Sequence, residues 1–155
     1  MREWENERMG EWVNEKMEIK CKNVIYNNLN ILKMNDKEKF ITELKNRTKK
    51  FAVDIILFCD NLKQTKAASV ITYQIIKSAT SVGANYRAAC RGRSKAEFYS
   101  KLCIVVEEAD ETEFWLEIIS ETDISKNIGE LNRLLSEANE ITKILSKAKS
   151  TASTT

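Results

Sequence analysis

From Asp36 onward, apolar residues return every three or four positions, the spacing of about 100° per residue that gives a helix one buried face. This spacing predicts four helices. The first covers roughly 37–62, with Phe40, Leu44, Phe51, Ile55, Phe58, Cys59 and Leu62 on one face, and the polar run Lys63 to Lys66 ends it. The second covers roughly 67–91 and lines up Ile71, Ile75, Val82, Tyr86 and Ala89. Ser78 and Gly83 are small residues where another helix can come close, and Gly92 is placed to end the helix as a glycine just past a terminus does. The third opens with Ser94-x-x-Glu97, a capping box, and runs to about Thr122 through Phe98, Leu102, Val105, Ala109, Leu116 and Ile119. After a turn at Asp123 to Ser125, the fourth carries Ile128, Leu131, Leu135, Ala138, Ile141, Thr142 and Leu145. Long helices with short connections make antiparallel neighbours, so the expected fold is all-α: an up-down-up-down four-helix bundle over residues 34–148.

The ends do not follow that pattern. Residues 1–33 contain an imperfect eight-residue repeat, EWENERMG then EWVNEKME, with a thin stripe of Trp4, Met9, Trp12 and Met17, followed by clustered asparagines. They read as a loosely packed extension, either disordered or belonging to a misassigned start, since Met34 stands just before the first strong helix. A peptide arm that docks on a partner is the functional alternative. The polar tail 149–155 is expected to fray.

Composition supports the helical reading. The chain has no proline and four glycines among 155 residues, too few turn residues for a β-rich domain. Its 43% apolar and 31% charged content belong to one folded, water-soluble domain. There is no signal-peptide pattern, no run of about 18 apolar residues, and no C-x-x-C spacing among Cys21, Cys59, Cys90 and Cys103. The expectation is a cytoplasmic protein with reduced thiols. Histidine is absent, which removes Ser-His-Asp and Cys-His catalysis, histidine zinc sites and the Glu-x-x-His pairs of di-iron bundles. No enzyme, metal or cofactor is expected.

The net charge of +2 is small, but it is sorted. Lys77, Arg87, Arg91, Arg93, Lys95 and Lys101 face one acid, Glu97, in their stretch, whereas residues 107–123 hold eight acids and no base. Lys45, Arg47, Lys49 and Lys50 form a second basic cluster on the first helix. The candidate nucleic-acid-binding residues are Lys49, Lys50, Arg87, Arg91, Arg93, Lys95 and Lys101, because arginine-rich surfaces grip phosphate. A solvated or internally paired face is the plainer account of any one cluster. Ile104, Trp115 and Ile118 on the third helix, and Val53, Ile56 and Leu57 on the first, project to a second flank, which suggests contact with another subunit. Glu108 and Glu111 share that flank and are expected to pair with Arg87, Arg91 and Arg93, with Asn85 bonding across to them. Asn85, Glu108, Glu111 and Trp115 are therefore structural or interface candidates. A metal or acid–base role for the two glutamates is the enzymatic alternative.

The run from Ser78 to Ile119 contains S-x-G-A-N-Y-R, R-S-K-A-E-F and E-E-A-D-E-T-x-x-W-L-E. It resembles the central hairpin of the four-helix bundle proteins encoded by intervening sequences of bacterial 23S ribosomal RNA genes, and FAVDIILFCDNL is similar to that family's first helix. The resemblance spans about residues 45–148 and leaves out the segment before Met34. It implies a homopentameric barrel, as in the related accessory protein of diversity-generating retroelements, which binds nucleic acid and a reverse transcriptase. It also implies an association with RNA without an established enzymatic activity. Matching positions are Ser81, Asn85, Arg87, Arg91, Glu108, Glu111 and Trp115. One departure is Ala88, where members often carry glutamate. The expected function is thus a non-catalytic, oligomeric RNA-binding or RNA-associated protein whose partner is structured RNA or a nucleoprotein. The alternative is a structural or adaptor protein that assembles with itself and binds a protein.

Overall fold

The computed structural model describes Met17, Lys20 and residues 35–153. The expected extension, residues 1–33, otherwise lies outside the described residues, as does Cys21. The chain divides into two compact units, residues 1–41 and 42–155. Four helices carry the described chain: α1 (Asp36–Cys59), α2 (Lys66–Ala89), α3 (Lys95–Glu121) and α4 (Ile128–Ser153). The first unit holds the opening turns of α1, where Asn35 and Glu38 cap each other's backbone N–H groups at 2.9 and 3.2 Å. Phe40, expected in the core, is 49% exposed there.

In the second unit the buried stripes are cleaner than the apolar pattern, because hydroxyl side chains complete them. Leu44, Thr48, Phe51, Ile55 and Phe58 alternate by four and three on α1, and Leu102, Val105, Ala109, Thr112, Leu116 and Ile119 do so on α3. On α4 the buried stripe is Leu131, Leu134, Ala138, Ile141 and Leu145, and the expected Leu135 packs half-buried against the core beside it. Ile128 is the first residue of α4 and stays 57% exposed, one position after the capping Asn127. The resulting core draws on all four helices. This is an all-α four-helix bundle, and no strand occurs among the described residues.

Polar contacts fix who neighbours whom. Arg47 forms a bidentate pair with Glu137 at 2.7 and 2.8 Å, and Arg133 bonds Asp54 at 2.9 Å, which joins α1 to α4 in antiparallel sense. Glu113 accepts from Asn139 at 2.8 Å between α3 and α4. The buried hydroxyls of Ser78 and Thr112 lie 2.9 Å apart between α2 and α3. Lys63 donates its backbone N–H to Ile124 O at 3.0 Å, so the α1–α2 and α3–α4 turns share one end, as an up-down-up-down order requires.

The turns account for the boundaries. Thr65 caps α2 by accepting from Ala68 N–H at 3.1 Å, and Ser94 caps α3 by accepting from Glu97 N–H at 3.1 Å. The Glu97 carboxylate in turn accepts from the N–H of Arg93, one residue before the cap. Gly92 does not end α2 by a left-handed turn, since no glycine has positive φ among the described residues. Its bareness is steric instead: a Cβ there would sit 3.1 Å from Ala89 O and 3.2 Å from Phe98 N. The fourth helix continues past the expected 148 to Ser153, with Ala148 and Ala152 packed against the core. No helix among the described residues is long and apolar enough to cross a membrane.

Candidate nucleic-acid interface

The site is built on α2, which contains no acidic residue. The acid-free stretch is wider still. Between Asn61 and Ala96 the charged residues are Lys63, Lys66, Lys77, Arg87, Arg91, Arg93 and Lys95, all basic. The inner face of α2, from Ala68 through Ile75 and Val82 to Ala89, is consumed by the core. Its outer arc presents Tyr73, Lys77, Thr80 and Arg87 to solvent, and exposed Arg91 follows just past the helix end.

Gly83 decides what stands beside that arc. A Cβ on Gly83 would lie 3.6 Å from Thr48 O and 3.8 Å from Lys49 N, so α2 rests backbone to backbone on α1 at this point. Lys45 lies three residues before Thr48 and Arg87 four residues after Gly83. In antiparallel helices both displacements run toward the α2–α3 turn, by about 4.5 and 6 Å. Helical arithmetic puts Lys45 and Lys49 on the α2-facing flank of α1, so Lys45, Lys49, Arg87 and Arg91 form one basic strip. Among the described residues none of these four makes an ion pair.

The remaining basic candidates are spread out. Lys50 is turned about 100° from Lys49, toward α4, where Asp54 engages it at 2.5 Å. It does not join the strip, and Arg47 is likewise held by Glu137. Burial tends to push the Asp54 carboxyl up, but hydrogen bonds from Lys50 and Arg133 leave it below the ordinary carboxylate value. Arg93, Lys95 and Lys101 surround the α2–α3 turn, Lys95 exposed and Lys101 half-buried. The helix breaks after Ala89, so Arg91 and Lys95 do not continue Arg87 along one helical row.

The acidic flank lies on the other side of α2. The Ser78–Thr112 contact sets Glu108 opposite Val82 and Glu111 opposite Ala79, whereas Arg87 and Arg91 stand opposite residues 103 and 99. The expected pairing of Glu108 and Glu111 with Arg87, Arg91 and Arg93 is therefore absent: the register separates Glu108 from Arg87 by about 7 Å and from Arg91 by about 13 Å along the axis. Asn85 does not bond across either. Its Nδ2 donates to Ser81 O on its own helix at 3.0 Å. Glu111 accepts from Trp115 Nε1 at 3.0 Å, and Glu108 Oε2 is buried with no hydrogen-bond partner. Burial, then the neighbouring Glu111, raises the Glu108 carboxyl above its ordinary value, with Lys77 opposing. Trp115, Ile104 and Ile118 are half-buried on this flank, whereas Val53, Ile56 and Leu57 on α1 are exposed. Ala88, the departure from the resembled family, is exposed on α2.

Sequence reasoning passed over Tyr73, 68% exposed on the outer arc. Its signal was available: an aromatic four residues before Lys77 in a stretch without acids. Cys59, Cys90 and Cys103 are free thiols, and burial pushes Cys59 up to about 12. Among the described residues no group of histidine, cysteine or carboxylate side chains could hold a metal ion.

The model of the 23S rRNA-intervening sequence protein family matches residues 41–147, a stretch that holds the core of all four helices and both flanks of α2. A crystal structure of a protein of unknown function from the S23 ribosomal protein family of Bacteroides thetaiotaomicron VPI-5482 is similar. It is 34% identical with a TM-score of 0.61, and the match covers 68% of this chain and 97% of that one. No curated protein matches the chain. On sequence and on fold, this chain belongs to the family of 23S rRNA-intervening sequence proteins.

Proposed function

We propose that this is a non-catalytic, oligomeric RNA-binding protein of the cytoplasm that uses the basic strip of α1 and α2 to hold phosphates. The observation that carries the reading is the acid-free stretch from Asn61 to Ala96, extended by Lys45 and Lys49 through the contact at Gly83. Apart from Lys63, which Asp123 engages, these bases are ready for a phosphate, because among the described residues none of them has an internal ion pair to break first. Assembly of copies into a ring, the pentamer that the family resemblance implies, would repeat the strip and add avidity through linkage alone.

The test is a fluorescence-anisotropy titration of the full chain with a structured ribosomal RNA fragment at several salt concentrations. The triple substitution Arg87→Gln, Arg91→Gln, Arg93→Gln is titrated in parallel. Binding should weaken with salt, and removing each phosphate-binding cation should flatten the log–log salt slope by about 0.7 to 0.9. No binding at low salt by the folded chain would discard the reading.

One observation favours a second reading. The flank of Glu108, Glu111 and Trp115 combines a carboxylate oxygen lacking a donor with half-buried apolar side chains. An adaptor that assembles with itself or binds a basic protein surface would use that flank and be indifferent to RNA. A stable oligomer that ignores RNA, and that dissociates on Trp115→Ala, would decide for it.

A further inference from the structure

The contact at Gly83 leaves the other half of the α1–α2 groove open. Toward the α1–α2 turn it widens into a cavity of about 580 Å³, lined among others by Asp60, Gln64, Thr72, Tyr73, Ile76 and Lys77. That volume lies within the range of about 300–1,000 Å³ usual for ligand pockets. The basic strip and this cavity lie on either side of the Gly83 contact along α2. From Arg87 to Tyr73 the separation along α2 is about 21 Å, with Lys77 between them.

The lining has a particular chemistry. Tyr73 offers an exposed ring at the rim, and Ile76 a half-buried apolar floor. Lys77 makes no ion pair, whereas Lys63 at the far wall is engaged by Asp123. Some polar groups of the lining are already bonded within the chain. Gln64 Nε2 donates one of its two hydrogens to Leu62 O, and the Ser69 hydroxyl donates to Thr65 O. The Asp60 carboxylate and Gln64 Oε1 stand among the lining groups as acceptors. A ligand for this place is flat, apolar on its faces, carries N–H donors on its edge and is joined to phosphate.

We infer that the cavity receives one unpaired, amino-bearing nucleobase of single-stranded RNA, stacked on Tyr73 and donating its exocyclic amine to Asp60. This deepens the RNA reading and rests on it. The strand's phosphates follow Lys77, Arg87 and the lysines of α1, while the base leaves its own stack for the tyrosine ring. Stacking on an aromatic side chain tolerates any base. The Asp60 carboxylate is what selects adenine or cytosine, whose amino groups it accepts, over uracil.

The experiment uses the full chain and fluorescein-labelled 12-nucleotide oligomers of adenylate, cytidylate and uridylate. They are titrated by anisotropy against the wild type, Tyr73→Ala, Tyr73→Phe and the pair Arg87→Gln, Arg91→Gln. Tyr73 is surface-exposed, so circular dichroism should show all variants folded. The expected result is tighter binding of the adenylate and cytidylate oligomers than of uridylate. Tyr73→Ala should lose about 5- to 100-fold for the preferred oligomers, and Tyr73→Phe should restore most of that loss. If Tyr73→Ala binds like the wild type while the arginine variant is weakened, the base site is overturned and the RNA reading stands. Equal affinity for the three oligomers overturns the selection by Asp60. If no oligomer and no structured RNA binds at low salt, both readings fall together.

Discussion

Gly83 looks like a residue that only glycine can satisfy, buried where two helix backbones meet, yet the geometry argues otherwise. The Cβ of an alanine would stand 3.6, 3.7 and 3.8 Å from Thr48 O, Thr48 C and Lys49 N, which is ordinary van der Waals contact. Alanine is favoured over glycine inside a helix by about 0.8–1.0 kcal/mol, and the buried methyl adds about 0.8 kcal/mol in removal of apolar surface. Gly83→Ala should therefore stabilise the protein by about 1–2 kcal/mol. Gly83→Val is the control. Its two γ-carbons reach beyond Cβ into the Thr48 carbonyl and must push α1 away, at about 1–3 kcal/mol. Urea denaturation followed by far-UV circular dichroism measures both. The two variants should also separate in RNA binding: the alanine variant should keep wild-type affinity, and the valine variant should lose affinity as Lys45 and Lys49 move from Arg87. A loss of stability above about 1 kcal/mol in Gly83→Ala would mean that the two helices leave no room for a methyl group. The placement of the α1 lysines beside the α2 arginines would fall with it.

Two further substitutions test the polar atoms that the core leaves alone. Glu108 has its carboxyl raised by burial, so the fold favours its protonated form: stability is complete below the ordinary value of 4.5 and falls as pH rises through the raised one. Glu108→Gln should accordingly raise Tm at pH 7, with the gain fading as the pH drops below about 4.5 in thermal melts across that range. A lowered Tm at pH 7 would mean that a cation from another chain already faces this carboxylate. Thr142 Oγ1 is buried without a hydrogen-bond partner, and valine has its shape without the hydroxyl. Thr142→Val should gain about 1 kcal/mol in urea denaturation, and a loss of that size would show that the hydroxyl is bonded after all.

The bundle was legible because apolar spacing at three and four residues is what a helix needs to bury one face. The four helices and most core residues follow from it. The errors are instructive for the same reason. Thr48 and Thr112 occupy core positions, and each satisfies its hydroxyl by bonding a carbonyl four residues back in its own helix. A pattern that counts only apolar residues skips them. Phe40 and Ile128 fit the spacing but sit near helix starts and stay exposed.

Charge was legible as blocks along the chain but not as partners in space, and the small residues explain why. Two contacts between helices set the register of α2 against its neighbours: bare backbone on backbone at Gly83 and Thr48, and hydroxyl on hydroxyl at Ser78 and Thr112. The first draws the lysines of α1 alongside Arg87. The second slides the acids of α3 toward Ser81 and Asn85, out of reach of the arginines they follow in sequence. The two charge blocks thus end on opposite flanks of one helix, each short of internal partners. Neutralising them against each other within the bundle would have taken a different register, and the register is held by the core. On the proposed reading a phosphate completes the basic flank and another chain the acidic one, so basic and acidic substitutions should affect different binding events.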